Sequence, residues 1–250
     1  MIIKKKITLI FIHGLGFNKK IWYFFKKKFE KKFLINTLNL HTPYKKNNFN
    51  IELKKFIKNK ISQIPKNSIL IGWSIGGIIA TLISLKEKNK ILLLITIASS
   101  PCFKKKKNWP GINNYQIDQM KKKLLYNYKN SIKNFINFQK NNENEKKIKI
   151  LYEKLIHMKK INNSSLEFNI KILKKIDLRN MLKKIKIPII RIYGSLDNIV
   201  PIKISKILDN LLKKKSYIIK KSNHAPFISH LENCYKIIIK CIKKNVPKNL

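Results

Sequence analysis

Acidic residues are scarce in this chain. Twelve Asp and Glu stand against 56 Lys and Arg, for a formal charge of +44 over 250 residues. Arginine is scarcer still, with only Arg179 and Arg191. Guanidinium forks read base edges bidentately, whereas lysine offers a point charge, so no specific nucleic-acid reader is expected. The lysines run through the whole chain among many Asn and Ile instead of forming one stripe. These three residue types share A/T-rich codons, so base-composition bias accounts for all three. Net charge bears on solubility and non-specific binding more than on fold. Three cysteines form no CxxC pair and leave an odd one over, which suits a reducing compartment and hence the cytoplasm. The apolar run at 91–99 is far short of a bilayer span. The first residues lack a long apolar region and a small-residue cleavage site, so neither membrane insertion nor export is expected. What is present is apolar bulk. Hydrophobic residues make up 44% of the chain, with 13 Phe, 9 Tyr and 3 Trp, enough for the sizeable core of one domain.

Short apolar runs alternate with helical spacing. Strands are predicted at 7–12, 33–38, 68–72 and 91–98, with helices at 19–30, 51–64 and 75–86 between them. Repeated strand–helix units imply an α/β fold, a mostly parallel sheet with helices on both faces. No strand pattern follows until about residue 173. Leu125, Tyr128, Ile132 and Phe135 follow helical spacing, as do Ile148, Leu151, Leu155 and Met158. An all-helical insertion is therefore predicted at 104–173, entered through the polar run 104–111, between core parts 1–103 and 174–250. The α/β rhythm resumes with a strand at 187–193, a helix at 203–212, a strand at 216–219 and a last helix. On that helix Leu231, Cys234, Ile238 and Cys241 share one face, which marks its cysteines as core residues.

Glycine is rare too, at seven residues. Gly14, Gly16, Gly72, Gly76, Gly77 and Gly194 all fall where strands end, the side on which open α/β sheets bind ligands. Gly72-Trp73-Ser74-Ile75-Gly76 is a G-x-S-x-G sequence between a strand and a helix. That context exposes the serine hydroxyl on a strained turn, at a helix N-terminus where the Ile75 N–H can donate to a developing oxyanion. The bland alternative is a serine capping a helix. His13-Gly14-Leu15-Gly16 follows the first strand, and Leu15 N–H is the candidate second donor; the alternative is a simple Gly-rich turn. Neither GxGxxG nor GxxxxGK[ST] is present for a phosphate.

Serine needs a base, and the base an orienting carboxylate. Of five histidines, His13 belongs to the Gly-rich turn, His41 to an early loop and His157 to the insertion, while His230 is predicted within the last helix. His224 stands in a loop after the last strand and is the candidate base. Of four aspartates, only Asp197, in Tyr193-Gly194-Ser195-Leu196-Asp197, directly follows a strand. Capping the next helix is its bland reading. Ser74, Asp197 and His224 occur in the chain order of the α/β-hydrolases.

The chain resembles that superfamily over nearly its full length. Within it, the sequence resembles the family of pimeloyl-[acyl-carrier protein] methyl ester esterases of biotin synthesis. The likeness rests on Ile71-Gly72-Trp73-Ser74-Ile75-Gly76-Gly77, Ala98-Ser99-Ser100-Pro101-Cys102-Phe103 with Trp109-Pro110-Gly111, Tyr193-Gly194-Ser195-Leu196-Asp197 and His224-Ala225-Pro226-Phe227-Ile228-Ser229-His230. The resemblance implies an α/β-hydrolase fold with an inserted helical lid, and a serine carboxylesterase that frees pimeloyl-carrier protein and methanol. It implies no metal and no organic cofactor. Substrate contacts are implied at Leu15, Ser74, Ile75 and His224, and on the lid at Phe135, Ile136, Asn137, Phe138 and Gln139. The partner implied is the acidic acyl carrier protein, docked on lid lysines Lys121, Lys122, Lys123, Lys129, Lys133 and Lys140; a monomer is expected. Leu15 stands where the family commonly has an aromatic residue. Asn39-Leu40-His41-Thr42-Pro43 stands where the superfamily commonly has Asp-Leu-Pro-Gly. Two rival readings are a general short-chain carboxylesterase of the same fold and a non-catalytic lysine-rich polyanion-binding module.

Overall fold

The computed structural model describes residues 7–42, 44, 48–141, 144–157 and 162–247. Residues 1–6, Pro43 and Met158, used in the reading above, lie outside them. Among the described residues six strands form one sheet in the order β2-β1-β3-β4-β5-β6. They are β1 (Thr8–Ile12), β2 (Leu34–Leu38), β3 (Ser68–Trp73), β4 (Ile91–Ile97), β5 (Ile189–Gly194) and β6 (Tyr217–Ile219). Every neighbouring pair is parallel. Position in the sheet explains composition. All residues of β1 and β3 are buried, which requires continuous apolar runs, whereas edge strand β2 alternates exposed and covered positions.

Helices flank the sheet: α1 (Tyr23–Lys27), α2 (Phe49–Ser62), α3 (Ile75–Lys86), α8 (Lys203–Leu212), α9 (Pro226–Ser229) and α10 (Leu231–Asn245). α3 packs on β1, β3 and β4. It buries Ile75, Ile78, Ile79 and Ile83, each contributing about 1.5–3 kcal/mol by leaving water. Between β4 and β5 the described residues form four further α-helices, α4 (Asn114–Tyr126), α5 (Tyr128–Asn137), α6 (Glu145–Ile156) and α7 (Asn163–Lys175). α4 packs on α5 and α7, and α5 on α6. Cys234, Ile238 and Cys241 of α10 are buried, as expected from their spacing.

Two local readings need correction. The helix expected at 19–30 is a 3-10 turn, Lys19–Trp22, continuing into α1. Asn18 caps its start, and three-residue bonds such as Phe29 N–H to Lys26 O end it early. His230 is not inside the last helix. Pro226 opens the separate short helix α9, and His230, at φ −130° and ψ 54°, divides it from α10. Beneath the strand ends, Trp22 lies 4.1 Å from Phe227 between ring centroids, and Trp73 lies 5.3 Å from Phe227. This aromatic layer joins the turn before α1, the end of β3 and α9 into one floor.

Candidate active site

Ser74 is the single residue between β3 and α3, at φ 55° and ψ −127°. A positive φ at a non-glycine residue costs about 1–3 kcal/mol and persists only where its surroundings over-determine it. Three bonds do so. Ser74 N–H donates to Ile97 O at 3.0 Å, and Ser74 O accepts from Gly77 N–H at 2.9 Å and from Ser99 Oγ at 2.7 Å. The turn closes so tightly that a Cβ on Gly72 would lie 2.4 Å from Gly76 O, and one on Gly76 2.3 Å from Ile12 O. Only glycine fits at either place.

Ser74 Oγ lies 3.0 Å from His224 Nε2, and His224 Nδ1 lies 2.8 Å from Asp197 Oδ2. All three residues are buried. Asp197, just past β5, accepts the Ile199 and Val200 N–H groups on Oδ1 at 2.8 and 2.9 Å, which aims Oδ2 at the ring. An ionised carboxylate only accepts, so Nδ1 carries the proton and Nε2 turns its lone pair toward the serine. The backbone of His224 is held as well: Trp73 Nε1 donates to His224 O at 2.8 Å. Residues from the ends of β3, β5 and β6 thus converge. This array can move a proton from Ser74 to His224 while the oxygen attacks a carbonyl.

The turn after β1 is equally fixed. His13 Nδ1–H donates to Gly14 O at 2.9 Å, and its Nε2 accepts from Leu40 N–H at 3.1 Å. Complete burial lowers its pKa to about 4, so the ring stays neutral. Asn39 Oδ1 approaches the same Nε2 and accepts His41 N–H. From α5, Tyr128 donates to Gly16 O at 3.0 Å. Among the described residues no protein acceptor is found for Leu15 N–H or Ile75 N–H. Leu15 lines the space beside Ser74, whereas Ile75 is wholly buried at the start of α3.

Beside Ser74 and His224 opens a cavity of about 230 Å³. Its apolar walls are Leu15, Phe17, Trp73, Leu124, Ile132 and Phe135, with Lys123 of α4 and Ser131 of α5 its polar contributions from those helices. Such a space suits an aliphatic chain whose reactive end meets the serine. Of the five lid positions expected to meet substrate, Phe135 lines this cavity. Ile136 is buried in the helical packing, Asn137 and Phe138 are exposed, and Gln139 is buried with Oε1 accepting Ala225 N–H at 3.2 Å. Sequence reasoning missed Phe17, Leu124 and Ile132 as wall residues. Phe17 restores an aromatic beside Leu15, with its ring 5.2 Å from Trp73 and 5.0 Å from Phe135. Its place one residue past the Gly-rich turn was the available signal.

On the outer helices Lys122, Lys123, Lys129 and Lys133 are exposed and Lys121 is half-buried. The nearby carboxylates are engaged, Asp118 with Lys174 at 2.6 Å and Glu145 with Lys140. Among the described residues no helix is long and apolar enough to cross a membrane.

Comparisons with known proteins give the family and the fold. A family model described as alpha/beta hydrolase fold matches residues 7–231. A pimeloyl-[acyl-carrier protein] methyl ester esterase of Wigglesworthia glossinidia brevipalpis is 42% identical over 251 residues, covering 95% of this chain and 94% of its own length. Another enzyme of that name, from Aliivibrio fischeri (strain MJ11), is 31% identical over 226 residues, covering 89% and 88%. Among solved structures, an esterase from Exiguobacterium antarcticum superposes with a TM-score of 0.78 at 18% identity, covering 96% of this chain and 92% of its own. At that identity the likeness shows the fold alone.

Proposed function

The chain belongs to the alpha/beta hydrolase family and, within it, to the pimeloyl-[acyl-carrier protein] methyl ester esterases, and from that premise we propose that it hydrolyses the methyl ester of pimeloyl-carrier protein in biotin synthesis. The observation that carries the reading is the Ser74–His224–Asp197 hydrogen-bonded chain at the mouth of an apolar cavity. Ser74 Oγ attacks the ester carbonyl as His224 Nε2 takes its proton. The oxyanion meets the Leu15 and Ile75 amides. Collapse breaks the bond to methoxide, which leaves as methanol with the proton from His224. Water, deprotonated by His224, then attacks the acyl-enzyme, and a second collapse frees Ser74 and the pimeloyl carboxyl group. Asp197 keeps the Nδ1–H tautomer and stabilises the imidazolium formed in each step.

Residues 104–173 serve as a lid over a core made of 1–103 and 174–250. Leu15, Phe135 and the lid walls hold the methylene chain. The acidic carrier protein docks on the lysines of α4 and α5 and on Lys140 just beyond α5, whose net positive field steers it and holds it. The protein acts as a monomer in the cytoplasm, a setting its three free, buried cysteines suit. A general short-chain esterase would use the same triad, so the deciding experiment compares substrates. The ratio of kcat/KM for the carrier-bound methyl ester to that for a short neutral ester, taken at low and high salt, favours the carrier-bound ester and falls with salt if this reading holds. A ratio below one at both salts contradicts it.

A further inference from the structure

Gln139 follows the end of α5, in a turn of the insertion, yet it is fully buried and its amide is committed at both ends. Oε1 accepts Ala225 N–H at 3.2 Å, and Nε2 donates to Phe135 O at 3.3 Å. Ala225 is the residue after His224. Three more bonds run from Phe138, Asn141 and Asn144 to the His224 loop and to α9, which follows it. Asn223 Nδ2 donates to Phe138 O at 3.2 Å, Asn144 Nδ2 to Ile228 O at 3.3 Å and Asn141 Nδ2 to Ser229 O at 2.6 Å. Asn144 Nδ2 also reaches Gln139 O at 3.0 Å, which braces the turn itself. The histidine loop is therefore held from outside at positions on both sides of His224. From inside, Trp73 holds the His224 carbonyl and Asp197 holds its ring.

We propose that Gln139 is a positioning residue, which fixes the His224 loop from the helical insertion and so keeps Nε2 in reach of Ser74 Oγ. The proposal rests on the reading of Ser74, Asp197 and His224 as the reacting set. The side chain of Gln139 has no free polar atom pointed at the cavity, so its contribution passes through Ala225 and not through substrate. Loss of the Oε1 acceptor leaves Ala225 N–H without a partner and releases the strand of loop that carries the base. Misplacement of a base by a fraction of an ångström slows proton transfer while leaving the apolar cavity intact. The signature is a fall in kcat with KM unchanged.

The test reads Ser74 directly with a small fluorophosphonate, whose phosphorus is attacked by Oγ as fluoride leaves and His224 takes the proton. This reaction needs neither carrier protein nor lid contact. Gln139→Met keeps the volume and removes the acceptor; labelling slows about tenfold or more, with KM for a short ester within about twofold of wild type. Gln139→Glu keeps an acceptor for Ala225 and slows labelling less than Gln139→Met. Should Gln139→Met not fold, Gln139→Asn, whose shorter amide stays polar but falls short of Ala225 N–H, carries the test, with slower labelling at a melting temperature that shows it folded. Wild-type labelling rates in Gln139→Met, or in Gln139→Asn where that variant stands in, overturn the inference. Absence of labelling in the wild type overturns the triad reading itself, and this inference with it.

Discussion

Trp73 and His224 are 151 residues apart in the chain and joined by a 2.8 Å hydrogen bond from the indole Nε1 to the His224 carbonyl. The residue before the candidate nucleophile thus holds the backbone of the candidate base. The bond is buried, and the Trp73 ring also packs against Phe17, Phe135 and Phe227.

Trp73→Phe keeps much of that packing and removes the donor. The orphaned His224 carbonyl costs about 1–3 kcal/mol of stability. Ester hydrolysis falls by about tenfold as the base loosens, a barrier increase near 1.4 kcal/mol. Urea unfolding and steady-state kinetics on the same preparation check both. Unchanged kinetics would show that the indole serves packing alone.

Asp197→Asn tests the tautomer. The amide oxygen can still accept Ile199 and Val200 N–H, which turns the new NH₂ toward His224 Nδ1. The ring then carries its proton on Nε2 and cannot accept one from Ser74. Hydrolysis falls by roughly three to four orders of magnitude, with little change in the far-ultraviolet circular dichroism. Activity within tenfold of wild type would contradict the assignment of Asp197.

These three residues were legible as a set because Ser74 and Asp197 directly follow predicted strands and His224 stands in the loop after the last one, at the strand ends where six of the seven glycines also fall. The parallel sheet was legible for a related reason: strands buried on both faces must be continuous apolar runs, and β1, β3 and β4 are. The bonds from Trp73 to His224 and from Gln139 to Ala225 leave no such mark. Each joins distant segments through one polar atom, and neither spacing nor composition encodes that pairing. The stretch 19–30 reads as one helix by its aromatics, but its final bonds reach back three residues instead of four, a choice made by packing against Phe11 and Phe227.

Acid sensitivity should trace in part to His13. Its pKa drops from 6.5 in the free side chain to about 4 on folding, chiefly through burial. Between those values the unfolded chain binds a proton that the folded one refuses. Stability is therefore complete above pH 6.5 and declines as pH falls to about 4, by at most about 3 kcal/mol from this group. His41, lowered mainly by burial, acts in the same direction. Urea midpoints measured at pH 7 and 4.5 should fall less in His13→Asn than in wild type. Parallel declines would remove His13 from the account.

Gly76→Ala places a methyl 2.3 Å from Ile12 O and 2.6 Å from His13 O. Backbone cannot yield there without shifting the turn that presents Leu15. A loss of about 3 kcal/mol or more is expected, read as a lowered melting temperature together with lost activity. A variant as stable as wild type would mean that the turn is looser than described.

Ser74 is proposed to open the methyl ester of pimeloyl-carrier protein. Methanol release from that substrate, followed for wild type and for Ser74→Ala, reads that step. Rapid release by the wild type, and release indistinguishable from the uncatalysed reaction in Ser74→Ala, are expected. Equal release by both proteins, or none by either, would contradict the proposal.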